Sequence, residues 1–230
     1  MDRGTLHHIE TWVFDLDNTL YPASVRLFDQ IEARMAEFIC TELDIDTEAA
    51  HELRRNYWRA HGTTLRGLMI EHGVAPARFL DHVHAIDLSA LTPAPDLDRA
   101  LGRLPGRKVI FTNADRAHAG RVLLRLGIAH HFEAVFDVAA ADFRPKPDPI
   151  AYDRFVDLHR INPARSAMIE DTARNLKPAH ALGMTTAWVT GGSRTNETDA
   201  SASYIHHVVE DLAAWLTEIA NHRNTAVRQD

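Results

Sequence analysis

Two carboxylates two residues apart, Asp15 and Asp17, close an apolar run over residues 9–14 and are followed by Asn18, Thr19, Leu20, Tyr21 and Pro22. In an extended segment residues i and i+2 point the same way, so the two acids aim together while Leu16 turns back toward the core. Such a pair repels unless a cation or a proton lies between its members. No Lys or Arg between positions 9 and 22 supplies that cation. A calcium loop does not fit, because that pattern needs Asp at Thr19, Gly at Leu20 and Glu at Arg26. A bare Asp-x-Asp is more often a turn with two solvated acids, so residues further along the chain decide its meaning. Three further places carry residues able to do chemistry: Thr112-Asn113, Lys146 between Pro145 and Pro147, and Glu170-Asp171.

Periodicity defines the elements that must position them. Leu27, Phe28, Ile31, Met35, Phe38, Ile39 and Leu43 follow the spacing of an amphipathic helix that begins at Ser24. Further helical patterns span 47–60, 64–72 and 76–84, separated by Gly or Pro. No strand pattern appears between Tyr21 and Leu104, and Thr92-Pro93-Ala94-Pro95 marks the exit from this helical insertion. Residues 107–113, 134–138, 167–169 and 185–189 read as short strands, and 115–126, 173–182 and 209–219 as helices. Gly127 is a helix stop and Pro149 opens another helix.

Strands alternating with helices predict a parallel sheet with right-handed crossovers, whose ligands bind at the carboxyl ends of the strands. The expected fold class is therefore α/β, a Rossmann-like three-layer sandwich with a parallel five-stranded sheet. The expected domains are a core of 1–20 and 94–230 and an inserted helical domain of 21–93. Asp15/Asp17, Thr112/Asn113 and Glu170/Asp171 each end one of the strands. Gly191-Gly192 reads as a loop, since neither Gly-x-Gly-x-x-Gly nor the P-loop lysine pattern is present.

The string Asp-Leu-Asp-Asn-Thr-Leu-Tyr-Pro behind a hydrophobic strand resembles the first motif of the haloacid dehalogenase-like (HAD) phosphohydrolases. The resemblance implies Asp15 as nucleophile and Asp17 as general acid/base. It implies that the Thr112 hydroxyl and the Asn113 N–H hold a phosphoryl oxygen, and that Lys146 neutralises the nucleophile and the transferring phosphoryl. Magnesium would be held by Asp15, the Asp17 carbonyl and Asp171, with Glu170 as a further ligand or a supporting group. Asn175 would orient Lys146 or a metal-bound water. Residues 104–119, the opening motif and 62–68 are similar to the pyrimidine 5′-nucleotidase branch, and the likeness extends over 11–189. The branch implies that the inserted domain is a cap over the site. Thr63, Thr64, Arg66, Tyr57 and His84 are its candidates for substrate contact, Thr64 and Arg66 foremost.

The function implied is magnesium-dependent hydrolysis of a small phosphate monoester, a pyrimidine nucleoside 5′-monophosphate first, through an aspartyl-phosphate. Members of this group often accept several monoesters, so a sugar phosphate is the alternative, and a phosphomutase would use the same core. A dehalogenase does not need Asp17, because halide leaves without a proton. A non-catalytic binding module would ordinarily have lost Asp15, Asp17, Lys146 or Asp171.

Composition excludes other classes. Hydrophobic content of 45% and charged content of 25% are those of an ordinary globular protein. A net charge of −7 argues against a nucleic-acid polymer or an anionic membrane as partner. The single Cys40 has no cysteine to pair with, which favours a reducing, cytoplasmic setting, and residues 1–9 lack the pattern of a secretory signal. The fifteen histidines lack zinc-site spacing and read as surface and helix-end residues. A monomer or homodimer is expected, with fraying beyond Asn221.

Overall fold

Trp12, Val13 and Phe14 are fully buried because strand β1 (Thr11–Phe14) lies inside a parallel sheet covered on both faces. The computed structural model describes residues 6–191 and 202–226. Its sheet has the order β3-β2-β1-β4-β5-β6, and every pair is parallel. The other strands are β2 (Arg107–Phe111), β3 (Ala134–Phe136), β4 (Ser166–Glu170), β5 (Thr185–Val189) and β6 (His207–Val209). The sheet is thus six-stranded rather than the five-stranded sheet expected. β6 escapes a pattern reading because it is three residues long and lies at the edge, where only Val209 is buried. From β1 the chain runs out to β2 and β3, then returns to β4 on the other side of β1. Such a reversal opens a crevice at the carboxyl ends of the strands.

Four of the five α-helices between β1 and β2 make up the insertion: α1 (Leu27–Leu43), α2 (Thr47–His61), α3 (Thr64–His72) and α4 (Pro76–Val83). Their starts are chemically marked. Asp46 accepts from the Ala49 N–H at 2.9 Å, Thr63 accepts from the Arg66 N–H at 3.2 Å, and Pro76 opens α4. Phe38 of α1 meets Phe79 of α4 edge to face at 5.2 Å, which locks the insertion together.

After α5 (Pro95–Arg103), a helix absent from the pattern reading, come α6 (Arg116–Leu126), α7 (Pro149–His159), α8 (Leu176–Ala181) and α9 (Leu212–Ala226). Helix α9 starts later than expected and continues past Asn221 as far as Ala226. The segment expected as one helix over 173–182 is a 3₁₀ turn, Ala173–Asn175, followed by α8. Gly192 and the residues after 226 lie outside the described residues.

Alternation along β1 builds the two cores. Trp12 and Phe14 join Val122, Leu123, Leu126 and Leu216 of α6 and α9 on one face, while Val13 joins Tyr152, Phe155 and Leu176 of α7 and α8 on the other. Each large side chain so buried contributes roughly 1.5–3 kcal/mol. Gly106 enters β2 at φ +100, and a Cβ there would stand 2.6 Å from the Glu10 carbonyl oxygen, so only glycine fits. Among the described residues no helix is long and apolar enough to cross a membrane.

Candidate active site

β1 delivers Asp15 to the crevice, and the Asp15 N–H extends the ladder by donating to the Ile169 carbonyl at 2.9 Å. Its partners come from other elements. Lys146, on the loop before α7, is 1% exposed, and its ammonium donates to Asp15 Oδ1 at 2.7 Å, Glu170 Oε2 at 2.6 Å and the Phe111 carbonyl at 2.8 Å. Three acceptors satisfy the three protons of an ammonium. Thr19 Oγ1 donates to Asp15 Oδ2 at 2.9 Å, so both oxygens of Asp15 are fixed. The expected residues Asp15, Lys146, Glu170 and Asp171 therefore lie together although they are distant in sequence.

Several expected residues hold other residues rather than open space. Asn113 clamps the Lys146 backbone, accepting from its N–H at 2.8 Å and donating to its carbonyl at 3.2 Å. Its side chain is thereby committed to the Lys146 loop. Thr112 Oγ1 accepts from the Ala114 N–H at 3.0 Å, and the residue lines the cleft. Asn175 lies in the 3₁₀ turn and donates to Glu170 Oε1 at 3.1 Å, not to Lys146. Glu170 Oε1 also accepts from the Thr172 N–H at 3.2 Å, so Glu170 is a clasp between Lys146 and the β4 tip. Arg66 donates to the Phe143 carbonyl at 3.4 Å and is not among the residues lining the cleft. Tyr57 bonds His72 at 2.6 Å and is likewise outside the lining, whereas Thr63, Thr64 and His84 line it.

The charges are unbalanced. Burial, then the charge of Glu170, push Asp15 up to about 7 against the pull of Lys146. Asp171 is raised well above the usual carboxylate range by burial, Glu170 and Asp15. Burial alone would lower Lys146, but Asp15 and Glu170 hold it above its ordinary value. Asp15, Glu170 and Asp171 each offer a carboxylate oxygen, all within 4.8 Å of one another, and the Oδ1 of buried Asn175 has no hydrogen-bond partner. Three carboxylates against one ammonium, with oxygen donors only, form a set that suits a hard divalent cation. Elsewhere, His130 and His131 approach Asp98 Oδ1 at 3.3 and 2.8 Å, a half-exposed ion-pair cluster.

Asp17 stands apart from that set. Its Oδ1 accepts from Tyr21 OH at 2.6 Å and from His118 Nε2 at 2.9 Å. Burial would raise it, yet His118 and Tyr21 beside it, with His84 behind, bring it below its ordinary value. Burial would lower His118, but Asp17 and then Asp115 raise it. Helix spacing places His118 on the inward face of α6, but nothing in it names the carboxylate the ring meets. Thr19 and Tyr21 belong to the first motif, yet their order in the chain does not reveal that each bonds the acid four residues before it.

Asp15, Asp17, Thr112 and Lys146 open into a cleft of about 630 Å³ roofed by the helical insertion. Phe28, Ile31, Trp58, Phe79 and Val83 are among its apolar lining residues, and Arg54, Arg55, Arg59 and Arg174 among its cationic ones. Arg174 stacks on Trp58 with its guanidinium carbon 3.5 Å from the ring centre and bridges the insertion to the β4 tip.

Residues 9–183 match the family model described as haloacid dehalogenase-like hydrolase. Phosphate metabolism protein 8 of Saccharomyces cerevisiae is 26% identical over 196 residues, 76% of this chain and 60% of the yeast protein, so the chain spans less than two thirds of that relative. An L-2-haloacid dehalogenase from Xanthobacter autotrophicus superposes with a TM-score of 0.57 at 20% identity, covering 94% of this chain and 99% of the other. A HAD phosphatase from Thermococcus onnurineus gives 0.58 at 14% identity, over 92% and 97%. The magnesium-bound HAD-hydrolase YfnB from Bacillus subtilis gives 0.56 at 16%, over 94% and 99%. These likenesses establish a shared fold.

Proposed function

Because the chain belongs to the haloacid dehalogenase-like hydrolase family, we propose that it is a magnesium-dependent phosphatase acting on a small phosphate monoester, a pyrimidine nucleoside 5′-monophosphate first among them. The observation that carries this reading is Asp17, a second carboxylate beside Asp15 that lines the cleft and is anchored through one oxygen. A departing alkoxide needs a proton and a departing halide does not. The fold neighbours include both chemistries, and Asp17 favours phosphate.

Enzymes accelerate phosphate monoester hydrolysis by up to about 10²¹-fold, and a general acid supplies only about 10²–10⁴ of that. Several devices must therefore act together. Asp15 attacks phosphorus and becomes an aspartyl-phosphate while Asp17 protonates the leaving oxygen. Asp17 then takes a proton from the water that cleaves the intermediate. The Thr112 hydroxyl, the Asn113 N–H and the Lys146 ammonium hold the phosphoryl oxygens. Asp15, Asp171 and the Asp17 carbonyl would hold magnesium, whose charge when bound offsets the repulsion between carboxylates and phosphate. Glu170 keeps Lys146 in place, and Asn175 keeps Glu170 in place.

Residues 21–93 act as the cap and 1–20 with 94–230 as the core, and the cap sets which leaving group enters. Thr64 is the better placed of the two foremost cap candidates, because Arg66 is engaged by Phe143. Release of inorganic phosphate from nucleoside monophosphates and sugar phosphates, with and without magnesium, tests the proposal. Turnover that is fastest with CMP or UMP and lost on chelation supports it; no phosphate from any monoester refutes it.

A further inference from the structure

Asp17 Oδ1 accepts two hydrogen bonds, from Tyr21 OH at 2.6 Å and from His118 Nε2 at 2.9 Å. A carboxylate oxygen has two acceptor positions, so Oδ1 is filled. Among the described residues no hydrogen bond reaches Oδ2, and Asp17 lines the cleft that also holds Asp15, Thr112 and Lys146.

The orientation of His118 is set without Asp17. Its ring is 0% exposed and stacks on His84 with centroids 4.4 Å apart and planes 18° apart. His84 is pinned in turn, since its Nδ1 bonds Asp115 Oδ2 and Arg121 donates to its carbonyl. Asp115 Oδ1 accepts from the His118 N–H at 2.7 Å and so ties the start of α6 to the same cluster. A ring fixed by packing dictates where its hydrogen-bond partner sits, rather than following it. His84 comes from the end of α4 and His118 from α6, so the aim of Asp17 depends on both units being docked.

We propose that His118, backed by the ring of His84, is a positioning residue: with Tyr21 it holds Asp17 Oδ1 and leaves Oδ2 as the oxygen that meets the leaving group. This rests on the reading of the chain as a phosphate monoester hydrolase. In the first step Asp15 bonds to phosphorus and the bond from phosphorus to the leaving oxygen breaks. Asp17, ionised in the free protein, takes on Oδ2 the proton carried by a monoanionic phosphate ester and passes it to that oxygen. In the second step water oxygen bonds to phosphorus, Asp15 is released, and Asp17 Oδ2 takes the proton of that water.

A leaving group that needs no proton separates positioning from general damage. The value of kcat/KM reports the first step, and p-nitrophenyl phosphate departs without protonation, whereas a primary alkyl phosphate does not. His118→Leu is expected to lower kcat/KM for the alkyl ester by about 10²-fold, the lower end of what a general acid supplies, and to leave the aryl ester nearly unchanged. His118→Gln, whose amide nitrogen falls near the position of Nε2, is expected to recover most of the loss. Tyr21→Phe removes the other donor at almost constant volume, should show the same selective loss, and decides the matter where His118→Leu does not fold. Equal loss on both esters, or no loss on the alkyl ester, overturns the proposal while leaving the phosphatase reading intact. A wild-type protein inactive on both esters removes that reading, and this inference with it.

Discussion

Replacing Asp171 by Asn should stabilise the metal-free protein, although the residue sits in the site. The reason is the charge count: Asp15, Glu170 and Asp171 bring carboxylate oxygens within 4.8 Å of one another, and Lys146 is bonded to two of them. Asp15 stands at about 7 in the folded protein against an ordinary 3.8, and Asp171 is also held well above that value. A carboxylate raised by folding is without cost below its unfolded value. It destabilises increasingly as pH rises from there through its folded value, because the folded state must give up a proton it retains more strongly. For Asp15 that penalty is on the order of 4 kcal/mol once the pH is above 7. Asp171→Asn removes a buried carboxyl that burial, Glu170 and Asp15 hold well above its ordinary value, so the metal-free variant at about pH 8 should be more stable than the parent by about 1–3 kcal/mol. At about 2–4 °C per kcal/mol for a chain of this size, Tm should rise by several degrees. Thermal unfolding between about pH 5 and 8, after chelation and again with excess magnesium, reads all of this. The parent should lose Tm with rising pH only without magnesium, and the variant should show little response to the ion. A metal-free variant less stable than the parent at the alkaline end, or a parent whose pH slope ignores magnesium, would refute the reasoning.

Other contacts in and around the site carry their own expected outcomes. Lys146→Met leaves two buried carboxylates and the Phe111 carbonyl without their donor, and should cost about 3–5 kcal/mol in urea unfolding as well as abolish turnover. Asp15→Asn should reduce phosphate release by about 10⁴-fold or more while circular dichroism and the melting profile remain those of a folded protein. Gly106→Ala forces a left-handed backbone and a contact of 2.6 Å with Glu10, and should cost about 1–3 kcal/mol without changing KM.

The parts of the site that ride on strand ends are legible in the sequence. A parallel sheet has one functional edge, so Asp15, Thr112 and Glu170 at three strand tips have to meet, and Lys146 between prolines lies on the loop that can reach them. The fold class and the four inserted helices follow from hydrophobic period and from the Gly and Pro residues that separate the patterns. Side-chain direction across the gap between units is not legible. The spacing of α6 places His118 inward, but only the packed structure brings it between Asp17 and His84. Arg66 looks available in sequence because its partner is a backbone carbonyl, Phe143, which no pattern reveals. The edge strand β6 escapes for a different reason: three residues with one buried position carry no period.

The central claim is that Asp15 becomes covalently phosphorylated. Quenching the working enzyme with sodium borohydride would convert an aspartyl-phosphate to homoserine, which peptide mass spectrometry locates. Homoserine at position 15 in the presence of substrate and magnesium, absent without substrate and absent from Asp15→Asn, is the predicted result. Steady release of phosphate with no reduction at position 15, or with reduction at another acid, would contradict the account.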